Sequence, residues 1–160
     1  MTLHFVLAEA QRLLAGDAKN GPGWTGPEHA LGYCKRKCGE NALGLPMLEL
    51  CEWNDEAAWQ FTVEGALRLA ARNDGALVLA AWEAVREVVA PLRAEADRQF
   101  SALPPPSRET WSQHYLAHTV ALCSFKQLDL GDWLQVSERK LGEVLAAFDV
   151  AVLKARTLDA

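Results

Sequence analysis

Six apolar residues, Val78, Trp82, Val85, Val89, Leu92 and Ala96, recur at alternating intervals of four and three. That spacing repeats near the α-helical period, so the segment reads as a long helix buried along one seam. A helix with an apolar seam is stable only against other elements, so this one feature demands a packed domain. Pro91 lies inside the seam. It removes one backbone donor and crowds the preceding turn, which predicts a kink.

The same period extends over most of the chain. A first helix is expected over Thr2 to Ala15, with Leu3, Leu7, Ala10 and Leu14 on one face and Gly16 past its end. A second is expected from Thr25, capped by its hydroxyl with Glu28 reaching back, and carrying Leu31, Cys34 and Cys38 as its apolar stripe. A third follows Pro46 and bends near Asn54-Asp55, with Trp59, Val63, Ala66 and Ala70 facing inward. Beyond Pro104-Pro105-Pro106, Ser107 caps a helix bearing Trp111, Tyr115, His118, Leu122 and Phe125. Asp132 caps the last, with Leu134, Leu141, Leu145, Phe148 and Val152 inward. No run alternates β-branched with polar residues between turn signals. The expected fold class is therefore all-α: residues 1–160 as a single-domain helical bundle of about five to seven helices.

Composition narrows the setting. At 160 residues with half of them hydrophobic, one domain with a core that needs no staple is expected. The net charge of −5 repels phosphate backbones, so nucleic acid is an unlikely partner. No apolar run approaches the ~20 residues of a membrane span. Glu9 interrupts the only candidate leader, and four cysteines make no disulfide framework, so reduced thiols in a cytoplasm are expected.

Two pairs share one spacing: Cys34 with Cys38, and His114 with His118. On helices each pair projects from one face about a turn apart, and together they offer the two thiolates and two imidazoles of a tetrahedral zinc site. Zinc is the one cofactor this pattern admits; otherwise none is expected. The competing reading makes Cys34 and Cys38 small core hydrophobes beside Leu31, and His118 a core histidine. Lys35-Arg36-Lys37 between the cysteines also suggests a reactive or redox-sensing thiol, since adjacent positive charge lowers a thiol pKa. No Glu-x-x-His pair, Asp-rich calcium loop or phosphate loop is present.

Ala117-His118-Thr119-Val120 resembles, over four residues, the phosphoacceptor segment of histidine phosphotransfer domains. Those domains carry Lys and then Gly three and four places after the histidine. Here Ala121 and Leu122 stand there, which removes the charge that meets the phosphoryl group and crowds its approach.

Six tryptophans are many for this length. Trp24 differs from the rest in standing among Gly21, Pro22, Gly23 and Gly26, where a loop aromatic either pins the loop to the core or anchors a partner. No catalytic set is legible, and Glu83, Glu87, Glu95 and Asp97 fall on outward helical positions. The expectation is a non-enzymatic protein-interaction or regulatory module with an acidic surface, suited to a protein partner, with Trp24 as a contact and a homo-oligomer admissible. The alternatives are a zinc-binding helical protein built on the Cys and His pairs, and a small-ligand sensor with an aromatic and aliphatic pocket.

Overall fold

The structure is a computed structural model, and it describes residues 1–26, 33–102, 130–134 and 139–159. In chain order these form α1 (Leu3–Ala15), β1 (Tyr33–Glu40), β2 (Pro46–Glu52), β3 (Ala58–Gln60), α2 (Val63–Ala70), α3 (Gly75–Ala102), α4 (Leu130–Leu134) and α5 (Leu141–Asp159). The fold is mixed: the helices pack together beside a three-stranded antiparallel sheet of order β2-β1-β3. The all-α expectation is overturned by that sheet.

Where the helical period was strongest, helices form. α1 buries Val6, Leu7, Ala10 and Leu14, and Gly16 ends it with φ +73° while donating to the Arg12 carbonyl at 3.2 Å. α3 runs unbroken through Pro91, with Ala81, Val85 and Val89 buried and Val78 and Trp82 half-buried against the core. Its seam packs within the chain, on α5, α2 and α1. Thr62 caps α2, its hydroxyl accepting from the Gly65 amide at 3.0 Å. α5 buries Val144, Ala147, Phe148, Ala151, Val152 and Ala155 against α1 and α3. The helix expected across Leu134 to Val152 is thus two, α4 and α5. The helix expected after Ser107 lies outside the described residues. Among the described residues no helix is long and apolar enough to cross a membrane.

The reading fails at the second expected helix and over the first half of the third, whose Val63, Ala66 and Ala70 do line the buried face of α2. Cys34 and Cys38 stand on β1, the segment after Pro46 is β2, and Trp59 is on β3. The cause is local. Asn41 takes the Leu43 and Leu45 amides on its side-chain oxygen at 2.9 and 3.0 Å, and the Asn41 amide donates to the Leu45 carbonyl at 2.8 Å. Gly44, at φ +74°, supplies the left-handed step that closes the turn. These contacts make Asn41–Leu45 a hairpin connection, which the sequence punctuation showed only as a break. From β2 the chain then crosses to the other edge of β1, where Arg36 binds Asp55 of the crossover at 2.8 Å.

Three carboxylates are held by hydrogen bonds, and one of them, Asp159, joins the last helix to the first. Asp159 of α5 meets the His4 ring at 2.6 Å, and Arg12 holds Glu9 at 2.6 Å. The His4 hydrogen bond lowers the Asp159 pKa, the Arg12 hydrogen bond lowers that of Glu9, and bonds from Asn20 lower that of Asp17. A carboxylate held below its ordinary value adds stability above that value and loses it as pH falls through the lowered one. Thermal stability should therefore hold on acidification down to the ordinary range, 3.8 to 4.5 for these groups, and fall below it. Circular-dichroism melts across pH check this, and Asp159→Asn should flatten part of the acid slope.

Candidate functional site

Three features of the β1–β2 hairpin set it apart from the rest of the chain. Among the described side chains of these two strands only Cys34 and Cys51 are buried, and they anchor the hairpin root. Beyond that root the hairpin stands in solvent with large apolar residues on it: Leu43 is 83% exposed, Leu45 56%, Leu50 58% and Met47 45%. β2 pairs with β1 on one side, and among the described residues no strand lies on the other.

Exposed sheet edges are ordinarily blunted by lysine, proline or a bulge. Here Lys35 and Lys37 lie on the central strand, where Lys37 is 4.3 Å from the centre of the Trp59 ring and 3.3 Å from the Asn20 side-chain oxygen. The bulge between Lys37 and Gly39 is also on β1. Pro46 starts β2 and removes a single donor at its first position. The one charge in the middle of β2, Glu49, is bound by Arg36 of β1 at 2.6 Å. The edge from Met47 to Cys51 is therefore apolar and electrically neutralised.

The hairpin as a whole is neutral too. Residues 33–52 hold Lys35, Arg36 and Lys37 against Glu40, Glu49 and Glu52, in a chain whose net charge is −5.

No family model, curated protein or solved structure matches this chain. Its chemistry is read from its own residues.

Cys34 and Cys38 do not form the helical pair from which the zinc site was drawn. Four residues along a strand span about 13 Å, whereas two thiolates on one zinc lie within about 4.6 Å of each other, twice the zinc–sulfur distance. Cys34 is buried and Cys38 exposed. His114 and His118 lie outside the described residues, as does the segment resembling a phosphoacceptor. Among the described residues no group of three or more His, Cys, Asp or Glu side chains is placed to hold a metal ion. Nor does the basic run activate Cys34. Successive side chains of a strand point to opposite faces, so Lys35 leaves its neighbour. Burial, the largest influence, pushes the Cys34 thiol up to about 11.

Trp24 is 8% exposed and belongs to the core cluster. Its backbone bridges Phe61: the Phe61 amide donates to the Gly23 carbonyl at 2.6 Å, and the Thr25 amide to the Phe61 carbonyl at 3.1 Å. Trp24 thus holds its loop against the end of β3.

For a small ligand there is an open groove of about 520 Å³ lined by Met1, Phe5, Glu9, Leu69, Ala70 and Arg72. Arg72 follows α2 with φ +51°, a left-handed backbone for a non-glycine residue. The polar groups of this groove are few, since Glu9 is engaged by Arg12.

Gly65 explains how the hairpin root is seated. A Cβ there would lie 2.5 Å from the Cys34 sulfur and 3.1 Å from the Thr62 hydroxyl. Gly65→Ala should cost about 1–3 kcal/mol by overpacking, and Cys34→Ala should recover much of that in the double variant. Urea titrations of the four proteins measure the coupling.

Proposed function

We propose that the chain is a protein-interaction module whose binding element is the β1–β2 hairpin, and that its occupant is a second copy of the chain added across β2. The observation that carries this is the apolar, neutralised free edge Met47–Cys51. Backbone groups on such an edge are a template for another strand.

Two-fold antiparallel pairing about Leu48 sets Leu48 against itself, Met47 against Glu49 and Pro46 against Leu50. No carboxylate then faces a carboxylate. Pairing about Glu49 would oppose two of them, which disfavours that register. The face is small, so the dimer belongs among contacts of less than about 1,200 Å², with a dissociation constant on the order of 1–100 μM.

Sedimentation velocity over a concentration series tests it. Wild-type protein is expected to shift from monomer to dimer, and the shift should survive about 1 M salt because no long-range charge drives it. Leu48→Lys sets lysine against lysine at the two-fold axis and should abolish the dimer. Leu48 is exposed and faces Lys37 of β1, so the monomer's own stability should fall by no more than about 1 kcal/mol. A chain that stays monomeric throughout, or a dimer indifferent to Leu48→Lys, contradicts the proposal.

A further inference from the structure

Cys34 and Cys51 are direct partners in the β1–β2 register. Residues directly opposite in an antiparallel pair point to the same face, with Cα atoms about 4.5 or 5.5 Å apart depending on the pair type. Both spacings fall inside the roughly 4.4–6.8 Å window of a disulfide. Both side chains are free thiols turned into the hairpin root, Cys34 fully buried and Cys51 with 8% of its surface left to solvent. Cys38, on the same strand, is exposed and clear of this pair. The geometry points to a modification site: Cys34 and Cys51 form a cross-strand disulfide on exposure to a low-molecular-weight disulfide oxidant.

The reaction balances as two thiol–disulfide exchanges. The Cys51 thiolate, the less buried of the two, attacks a sulfur of the oxidant and expels one small thiolate, leaving a mixed disulfide on Cys51. The Cys34 thiolate then attacks the Cys51 sulfur and expels the second. Each protein thiol loses a proton, each released thiolate takes one up, and two electrons pass from the cysteines to the oxidant. The pair's surroundings set the speed. Burial raises both thiols, Glu52 raises both further, and Glu49 and Asp55 add to the rise at Cys51; Arg36 opposes it there, and hydrogen bonds from Thr62 oppose it at Cys34. The exchange is therefore slow at neutral pH and faster in alkali. The link would fix β1 to β2 at the root and hold the hairpin register, whatever binds the β2 edge.

The test is incubation of the native chain with glutathione disulfide at mildly alkaline pH, acid quench, alkylation and peptide mapping. The expected result is loss of two alkylatable thiols and a linked peptide joining Cys34 to Cys51, in roughly tenfold or greater excess over any other pairing, because the two sulfurs are already neighbours. The same treatment in denaturant should scatter the links among all four cysteines. A mixed disulfide on Cys51 that never resolves, or links from Cys34 or Cys51 to Cys38 or Cys123 in the native chain, would overturn the assignment. None of these readouts depends on dimerisation.

Discussion

Phe148→Ala should lower the unfolding free energy by about 3–5 kcal/mol, the range for emptying a phenylalanine site in a packed core. Phe148 is fully buried and, among the described residues, the largest of the sealed side chains, sharing the core with Leu7, Leu14, Leu67 and Val85. The helix that carries Phe148 packs against both α1 and α3, so no single element can collapse to fill the space. Domains of this kind are stable by about 5–15 kcal/mol in all, so the variant sits near the edge of folding. Urea unfolding followed by circular dichroism gives the number. Leu158→Ala, at an 81% exposed position of the same helix, should change stability by no more than about 0.5 kcal/mol and serves as the control. Equal losses in the two variants would mean that α5 does not face the core as described.

The second large effect is expected at Gly23. A Cβ built there would lie 1.9 Å from the Leu13 carbonyl oxygen and 3.3 Å from the Gly16 Cα. These obstacles are backbone, so no rotamer change relieves the clash. The Gly23 amide also donates to the Leu14 carbonyl at 3.1 Å, and its carbonyl takes the Phe61 amide at 2.6 Å. Any shift that makes room breaks the link from the end of α1 to the end of β3. Gly23→Ala should therefore cost about 3 kcal/mol or more, beyond an ordinary point substitution. Gly21→Ala, with open space around the position, should cost less even though its φ of +82° disfavours a side chain. The two melting temperatures, compared in one buffer, check the order.

The helices were legible because burial and periodicity agree in them. Leu7, Ala10 and Leu14 on α1, and Val85 and Val89 on α3, repeat near the helical period and are buried for the same reason. The sheet offered no such agreement. β1, β2 and β3 read Tyr-Cys-Lys-Arg-Lys-Cys-Gly-Glu, Pro-Met-Leu-Glu-Leu-Cys-Glu and Ala-Trp-Gln, without a valine, isoleucine or threonine. Because the hairpin buries little beyond Cys34 and Cys51, no inward row imposed a period of two, and the i, i+4 cysteines passed for a helical stripe. One signal could have found it: Asn41 and Gly44 in a five-residue connection between segments of eight and seven residues.

The candidate site was hidden for a related reason. Leu43, Leu45, Met47, Leu48 and Leu50 look like core in any hydropathy reading, and only their place on the hairpin leaves them in solvent. Trp24 shows the converse, a loop aromatic that the sequence left open to pinning or anchoring and that the structure buries in the core beside the Phe61 bridge. In neither case does residue type alone decide; the local backbone does.

The most direct test is amide hydrogen exchange on β2 at two protein concentrations, one far below and one far above the dimer midpoint. The edge account predicts that alternate amides between Met47 and Cys51, those turned away from β1, gain protection at high concentration while α1, α3 and α5 do not change. Concentration-dependent protection on the outer face of α1 and α5, around Phe5, Leu153 and Leu158, or no gain on β2 at any concentration, would contradict it.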